Sequence, residues 1–280
     1  MAEPRVVLSG LAFGESVRWH DGRAFVADWA AREVLAVDAA GGREVVARSP
    51  AFPCCFDWLP DGRMILSSDG ALVRREPDGA LVTHADLRPF ARFPWNEVAC
   101  DARGHVWANN IGFQFPGGEF APGCIVVARP DGTVAQVADG LAFPNGMAVS
   151  ADGGMLIVAE SYAKQLTAFT IAGDGSLSAR RVWADLAGAP PDGICLDVAG
   201  AVWYADVPNR RCVRVAEGGA VLATIAVDRG CFSCALGGDD GRTLFIAATE
   251  WAGAGGMAAI IAQRRGQLLA VEVDVPGIAR

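Results

Sequence analysis

Histidine is scarce in this sequence, and long apolar runs are absent. Only His20, His84 and His105 occur, and no two stand at the spacing of a His-rich zinc site. Their unrelated surroundings also give little support to a Ser-His-Asp nucleophile. The apolar runs are strand-sized, so nothing reads as a membrane-spanning helix and no membrane partner is expected. The start, MAEPRVVLSG, has no basic region followed by a long apolar stretch, so no signal peptide is expected. No Lys/Arg cluster stands out and the formal net charge is −8, which argues against nucleic acid as a partner. The eight cysteines are scattered: Cys54 and Cys55 are adjacent, and Cys231 and Cys234 make a CxxC with no second pair. A cytoplasmic chain with reduced thiols, most of them packing as small hydrophobes, is the expectation.

Glycine and proline, in contrast, are plentiful, at 34 and 15 of 280 residues, and the hydrophobic fraction is 52%. Many turns around a large core favour an all-β chain. The stretch AFPNGMAVSADGGMLIVAES, residues 142–161, shows how the turns are used. Pro144-Asn145-Gly146 is a turn signal, followed by an apolar run from Met147 to Val149. A second turn at Ala151-Asp152-Gly153 precedes the apolar run Met155 to Ala159, so the stretch reads as a hairpin.

Five similar hairpins surround it in the sequence. Aligned on their turn glycines, Gly22, Gly62, Gly104, Gly153, Gly200 and Gly241, they recur every 40–50 residues or so, the period of propeller blades. Three residues after each glycine stand Phe25, Ile65, Trp107, Leu156, Trp203 and Leu244, all large and apolar. The position directly after the glycine is mostly polar or small, as in a half-buried strand. A second turn follows in most units, at Asp38 to Gly42, Pro77 to Gly79, Pro130 to Gly132, Gly173 to Gly175 and Glu217 to Gly219. Each unit then holds about four strands, and residues 1–280 read as one six-bladed β-propeller domain. The early strand Val6-Val7-Leu8 is expected beside Leu268 to Val273, closing the ring. An eight-stranded sandwich is the rival architecture, but it leaves the constant period unexplained. The segment between Asn110 and Cys124, IGFQFPGGEFAPG, is too long for a blade turn and reads either as a lid or as a surface excursion.

Oxygen-bearing side chains recur at the mouths of the first strands of several units: Glu15, Asn96 with Glu97, Asn145, and Asp192. Innermost strands line the channel of a propeller, so these oxygens would converge there. Two carboxylates and two amide oxygens suit a hard divalent cation, Ca²⁺ above all, with Mg²⁺ or Mn²⁺ as alternatives. Asn-Gly and Asp-Gly are also ordinary turn formers, and each residue alone reads as a turn. Their recurrence at equivalent positions favours a site. The second and sixth units have Cys54-Cys55-Phe56 and Cys231 to Cys234 instead, expected to line the same channel without hard ligands.

The chain resembles the SMP-30/gluconolactonase/luciferin-regenerating-enzyme family along almost its whole length. The resemblance is carried by Gly14-Glu15 with Trp19, by Phe143 to Gly146 with Ser150, Asp152 and Gly153, by Pro191 to Gly193 with Asp197, and by Leu236-Gly237-Gly238. It implies a six-bladed propeller in which Glu15, Asn145 and Asp192 bind a divalent metal and Asn96 lies near metal or substrate. Zn²⁺ and Fe²⁺ join the alternatives to Ca²⁺. Where many relatives have Arg-x-Asn-Asp, this chain has Arg92-Phe93-Pro94-Trp95-Asn96-Glu97, which weakens a substrate-binding role for Arg92. Phe113, Phe115 and Phe120 in the long segment suggest a more apolar pocket, with Phe113 among its substrate contacts.

The function expected is a metal-dependent hydrolase, a lactonase by preference, in which the cation polarises the ring carbonyl and water attacks. Asp192 is the first candidate for general base and Glu97 the second, unless Glu97 orients Asn96. A phosphotriesterase or arylesterase on the same site is the alternative, and a non-catalytic, metal-stabilised binding propeller is another. The expected partner is a small-molecule substrate, and the chain is expected as a monomer or weak homodimer.

Overall fold

A computed structural model describes residues 3–38, 40–49 and 51–278 of the chain. Its strands follow the turn glycines. The first blade is β2 (Gly14–His20), β3 (Arg23–Asp28), β4 (Glu33–Val37) and β5 (Arg43–Arg48), with β1 (Arg5–Leu11) ahead of it. The second is β6 (Phe56–Trp58), β7 (Met64–Ser68), β8 (Ala71–Arg75) and β9 (Leu81–Asp86). The third is β10 (Trp95–Cys100), β11 (Val106–Asn110), β12 (Gly123–Ala128) and β13 (Val134–Leu141). The fourth is β14 (Pro144–Val149), β15 (Met155–Glu160), β16 (Gln165–Ile171) and β17 (Leu177–Asp185). The fifth is β18 (Pro191–Leu196), β19 (Val202–Asp206), β20 (Arg211–Val215) and β21 (Val221–Ala226). The last is β22 (Gly230–Gly237), β23 (Thr243–Thr249) and β24 (Gly266–Glu272), completed by β1.

Six four-stranded antiparallel sheets of this kind, in a ring, are a six-bladed β-propeller, as the sequence period requires. The sandwich alternative is excluded by the same strand order. Strand β1 pairs with β24, Arg5 opposite Ala270 and Leu11 opposite Gly266, so the two ends of the chain close one blade between them. Closure removes the edge that β24 would otherwise present.

Each of the six turn glycines falls between the first and second strands of its blade, and the six large residues three positions later are all buried. They contribute to the apolar layers between neighbouring blades, such as the one that joins Trp107, Leu156 and Phe169. Gly237 belongs to the same logic: a Cβ there would lie 2.3 Å from the Trp19 ring, which stacks on Phe245.

One expectation fails locally. Pro144-Asn145-Gly146 is not a turn but the first half of β14, and Asp192-Gly193 likewise lies inside β18. The glycines serve close approach instead. A Cβ on Gly146 would lie 2.6 Å from Ile194 N, and one on Gly193 would lie 2.7 Å from Ser233 Cα, so β14, β18 and β22 crowd together around the axis.

Sequence periodicity also missed a short helix, α1 (Met257–Gln263), in the connection between β23 and β24. Its Ile260 packs with Phe13, Val207 and Phe232. Among the described residues no helix is long and apolar enough to cross a membrane.

Candidate functional site

The innermost strands β2, β10, β14, β18 and β22 each carry a register shift against their hairpin partners. The extra residue falls between Glu15 and Arg18, between Trp95 and Glu97, between Pro144 and Met147, between Pro191 and Ile194, and between Cys231 and Ser233. Bulges re-aim side chains that a regular pleat would send into a neighbouring blade. Asn96, Asn145 and Asp192 all sit in these bulges, and Glu15 borders one. In the first blade the bulge is strained, with Ser16 at a φ of 47°.

The bulged residues meet. The Glu15 carboxyl is pushed well above the ordinary carboxylate range, first by burial, then by the negative charge of Asp192 and then by that of Glu97. Asp192 is raised well above its usual value by burial and by Glu97, against the lowering effect of a hydrogen bond from the Asn145 side chain. Its Oδ1 is buried and has no hydrogen-bond partner. Carboxyls and an amide from the inner strands of the first, third, fourth and fifth blades thus lie close enough to act on one another.

A belt of hydrogen bonds fixes this gathering from blade to blade. Asn96 Nδ2 donates to Pro144 O at 3.2 Å, and Asn109 Nδ2 donates to Asn145 O at 2.6 Å. Ser161 Oγ donates to Pro191 O at 2.7 Å and accepts from Asn145 Nδ2 at 3.4 Å. Ser233 Oγ accepts from Val17 N at 2.9 Å, tying the last blade to the first. Sequence reading missed Asn109, Ser161 and Ser233, because each works on the backbone of the next blade. For Asn109 the signal was there: two asparagines, Asn109 and Asn110, close the otherwise apolar strand Val106–Asn110.

Glu97 occupies the inner wall but does not orient Asn96. Its Oε1 accepts from Arg18 Nη2 at 3.0 Å, from Val98 N at 2.9 Å and from Ser16 Oγ at 3.5 Å. Burial still raises its pKa, although Arg18 opposes the rise. Arg18, on β2, is another residue the sequence reading passed over.

Arg92 and Phe113 lie in connections, Arg92 before β10 and Phe113 after β11. Arg92 is exposed and lines a cleft of about 590 Å³ with Phe93, Asn110, Cys124, Gln136 and Asp139, against the outermost strand of the third blade. Phe113 is buried in the connection between β11 and β12, with its ring centroid 5.7 Å from those of Phe120 and Phe143. Tyr162 joins this group, 4.8 Å from Phe143, and stands next to Ser161. The connection therefore reaches the mouth of the channel beside Asn145. Phe115, Phe120 and Tyr162 keep 37%, 51% and 50% of their surface exposed, which leaves an aromatic rim there.

The cysteines behave as packing residues. Cys54 and Cys55, adjacent on an extended chain, go to the two apolar layers on either side of the second blade. Burial pushes Cys54 up to about 11. Cys231 and Cys234 pack between the fifth and sixth blades, where Cys234 Sγ lies 3.9 Å from Cys195 Sγ and 3.7 Å from Gly193 O.

The sequence pattern of the SMP-30/Gluconolactonase/LRE-like region matches residues 13–250. The chain belongs to this family. Pentonolactonase XacC of Haloferax volcanii is 26% identical over 261 aligned residues, covering 81% of this chain and 84% of that protein. Diisopropyl-fluorophosphatase of Loligo vulgaris is 33% identical over 189 residues, 58% of each chain. In three dimensions a luciferin-regenerating enzyme superposes with a TM-score of 0.83 at 17% identity, over 99% of this chain and 98% of that one.

Proposed function

We propose that this member of the family is a hydrolase that opens lactones with the help of one divalent cation held by Glu15, Asn145 and Asp192, with Asn96 beside it. The observation that carries the reading is the buried, unpartnered Oδ1 of Asp192, set beside a second buried carboxyl whose charge opposes its own. A buried carboxylate oxygen without a partner is costly, and two neighbouring carboxyls that repel each other are more so. A divalent cation offsets both charges and takes up the orphan oxygen. The donor chemistry fits an oxygen-ligated ion: two carboxyls, Glu15 and Asp192, and the amide of Asn145, which hydrogen-bonds Asp192. All-oxygen ligation favours Ca²⁺, with Mg²⁺ and Mn²⁺ next and Zn²⁺ or Fe²⁺ less suited.

When bound, such an ion supplies Lewis-acid polarisation of a carbonyl oxygen. The residues of the chain do the rest. Asp192 is the preferred general base, because its Oδ1 has no hydrogen-bond partner while Glu97 is tied to Arg18. Asn96 and Phe113 are assigned to substrate binding, and Arg92 with them through the cleft it shares with Asn110 and Gly112. The aromatic rim of Phe115, Phe120 and Tyr162 suits a lactone bearing an apolar substituent better than a polyhydroxylated one.

A second reading, hydrolysis of a phosphotriester or aryl ester at the same place, is favoured by the same rim. A proton-release assay with a panel of lactones and phosphotriesters, on metal-stripped protein resupplied with each cation, separates the two. A preference for lactones by 100-fold in kcat/KM, about 2.7 kcal/mol, decides for the first. Absence of any cation-dependent turnover across the panel decides against both.

A further inference from the structure

The inner wall of the ring carries more negative charge than one divalent cation offsets. Glu15, Asp57 and Glu97 are buried there, and Asp192 is half-buried. A single guanidinium sits among them. The Arg18 side chain is 11% exposed and that of Glu97 5%, with Nη2 to Oε1 at 3.0 Å. Nη2 also donates to Val98 O, and Nη1 to Val17 O, each at 3.0 Å. Arg18 thus leaves β2 in the first blade, passes the three-residue β6 of the second and is pinned to β10 of the third.

Glu97 stands between the groups: it is ion-paired with Arg18, and its charge also acts on Glu15 and Asp192. Glu97 and then Asp57 are the charges that hold Arg18 in its cationic form against burial. The strongest charge acting on Glu15 is Asp192. Asp57 is further held by Cys100 N at 2.8 Å and Trp58 N at 3.0 Å. Guanidinium keeps its proton under all working conditions and cannot exchange with solvent ions.

We propose that Arg18 is a built-in counter-charge: by pairing with Glu97 on the inner wall, it limits the channel to one exchangeable divalent cation, at Glu15 and Asp192. The inference rests on the cation site proposed above. Removing the guanidinium leaves Glu97 and Asp57 uncompensated in a buried place, where a second cation would be drawn in.

Calorimetric titration of metal-stripped protein with CaCl₂ tests this without any substrate. Wild-type protein and Arg18→Lys are expected to bind one ion. Arg18→Met is expected to show a second event, at least tenfold weaker than the first, and Arg18→Met with Glu97→Gln is expected to return to one. Thermal unfolding gives a second readout where Arg18→Met is unstable: Ca²⁺ or the added Glu97→Gln should restore its midpoint. A folded Arg18→Met protein that binds one ion with unchanged affinity overturns the inference, as does wild-type protein that binds two, or a double variant no more stable than the single one. Wild-type protein that binds no ion overturns the cation site itself, and this inference with it.

Discussion

Asp192 and Gly193 are neighbours with separate duties, and the two can be broken separately. Asp192→Asn and Glu15→Gln remove charge from the gathering point without changing shape. Each is expected to lower kcat/KM by roughly 10²- to 10³-fold and to abolish Ca²⁺ binding, measured by lactone hydrolysis and calorimetry. The fold should survive, because the burial of repelling carboxyls is relieved rather than created. Gly193→Ala does the opposite. Its Cβ would lie 2.7 Å from Ser233 Cα, a contact with backbone that cannot swing away. The expected cost is about 1–3 kcal/mol, read from chemical denaturation, with Gly146→Ala similar. Much of this site was legible in the sequence as oxygens at equivalent strand starts. What could not be read was the reason for the glycines. Asn145-Gly146 and Asp192-Gly193 have the composition of turns, and only the neighbouring strands show that glycine is there to let backbones touch. The pairing of Arg18 with Glu97 was equally hidden, since it joins positions 79 residues apart.

At the scale of elements, turns and insertions divide the labour. The turn between β10 and β11 is built on Asp101, whose Oδ1 accepts from Arg103 N and His105 N, both at 2.9 Å. Its Oδ2 accepts from Arg103 Nε at 2.9 Å and lies 3.0 Å from His105 Nδ1. Burial would raise the Asp101 pKa, but these bonds, from His105 first and then Arg103, hold it below the usual carboxylate range. A depressed carboxyl stabilises the fold above its unfolded pKa, and the effect fades as pH falls through the folded value. Asp101→Asn is therefore expected to cost about 1–3 kcal/mol at neutral pH and less in acid, by denaturation at several pH values. The connection of residues 111–122 has a different role. Phe115→Ser with Phe120→Ser is expected to raise KM for apolar substrates by about tenfold while leaving Ca²⁺ affinity unchanged, since these rings are 37% and 51% exposed and hold no strand in place. The sequence marked this segment by its length and its phenylalanines. It did not mark α1, which at seven residues is too short for helical periodicity to emerge from an apolar background.

For the whole molecule the decisive feature is closure. Strand β1 joins β24 across nearly the full length of the chain, so the last blade is complete only when the two ends of the chain meet. Removing the residues through Leu11 should expose the β24 edge and strip cover from Leu268 and Ala270. The expected result, checked by light scattering and thermal unfolding, is a less stable protein that aggregates. Closure also makes convergence at the axis possible, because only a closed ring brings β2 back to β22 and β18. The repeat period made this architecture readable from sequence, including the closing strand, since one turn glycine per blade fixes both blade number and strand direction.

The central claim is that Glu15, Asn145 and Asp192 hold one cation on that axis. Anomalous diffraction from a crystal soaked in MnCl₂ tests it most directly. The account predicts one strong peak within about 2.0–2.6 Å of an oxygen from each of the three side chains. Absence of density there, or a peak ligated by other residues, contradicts it.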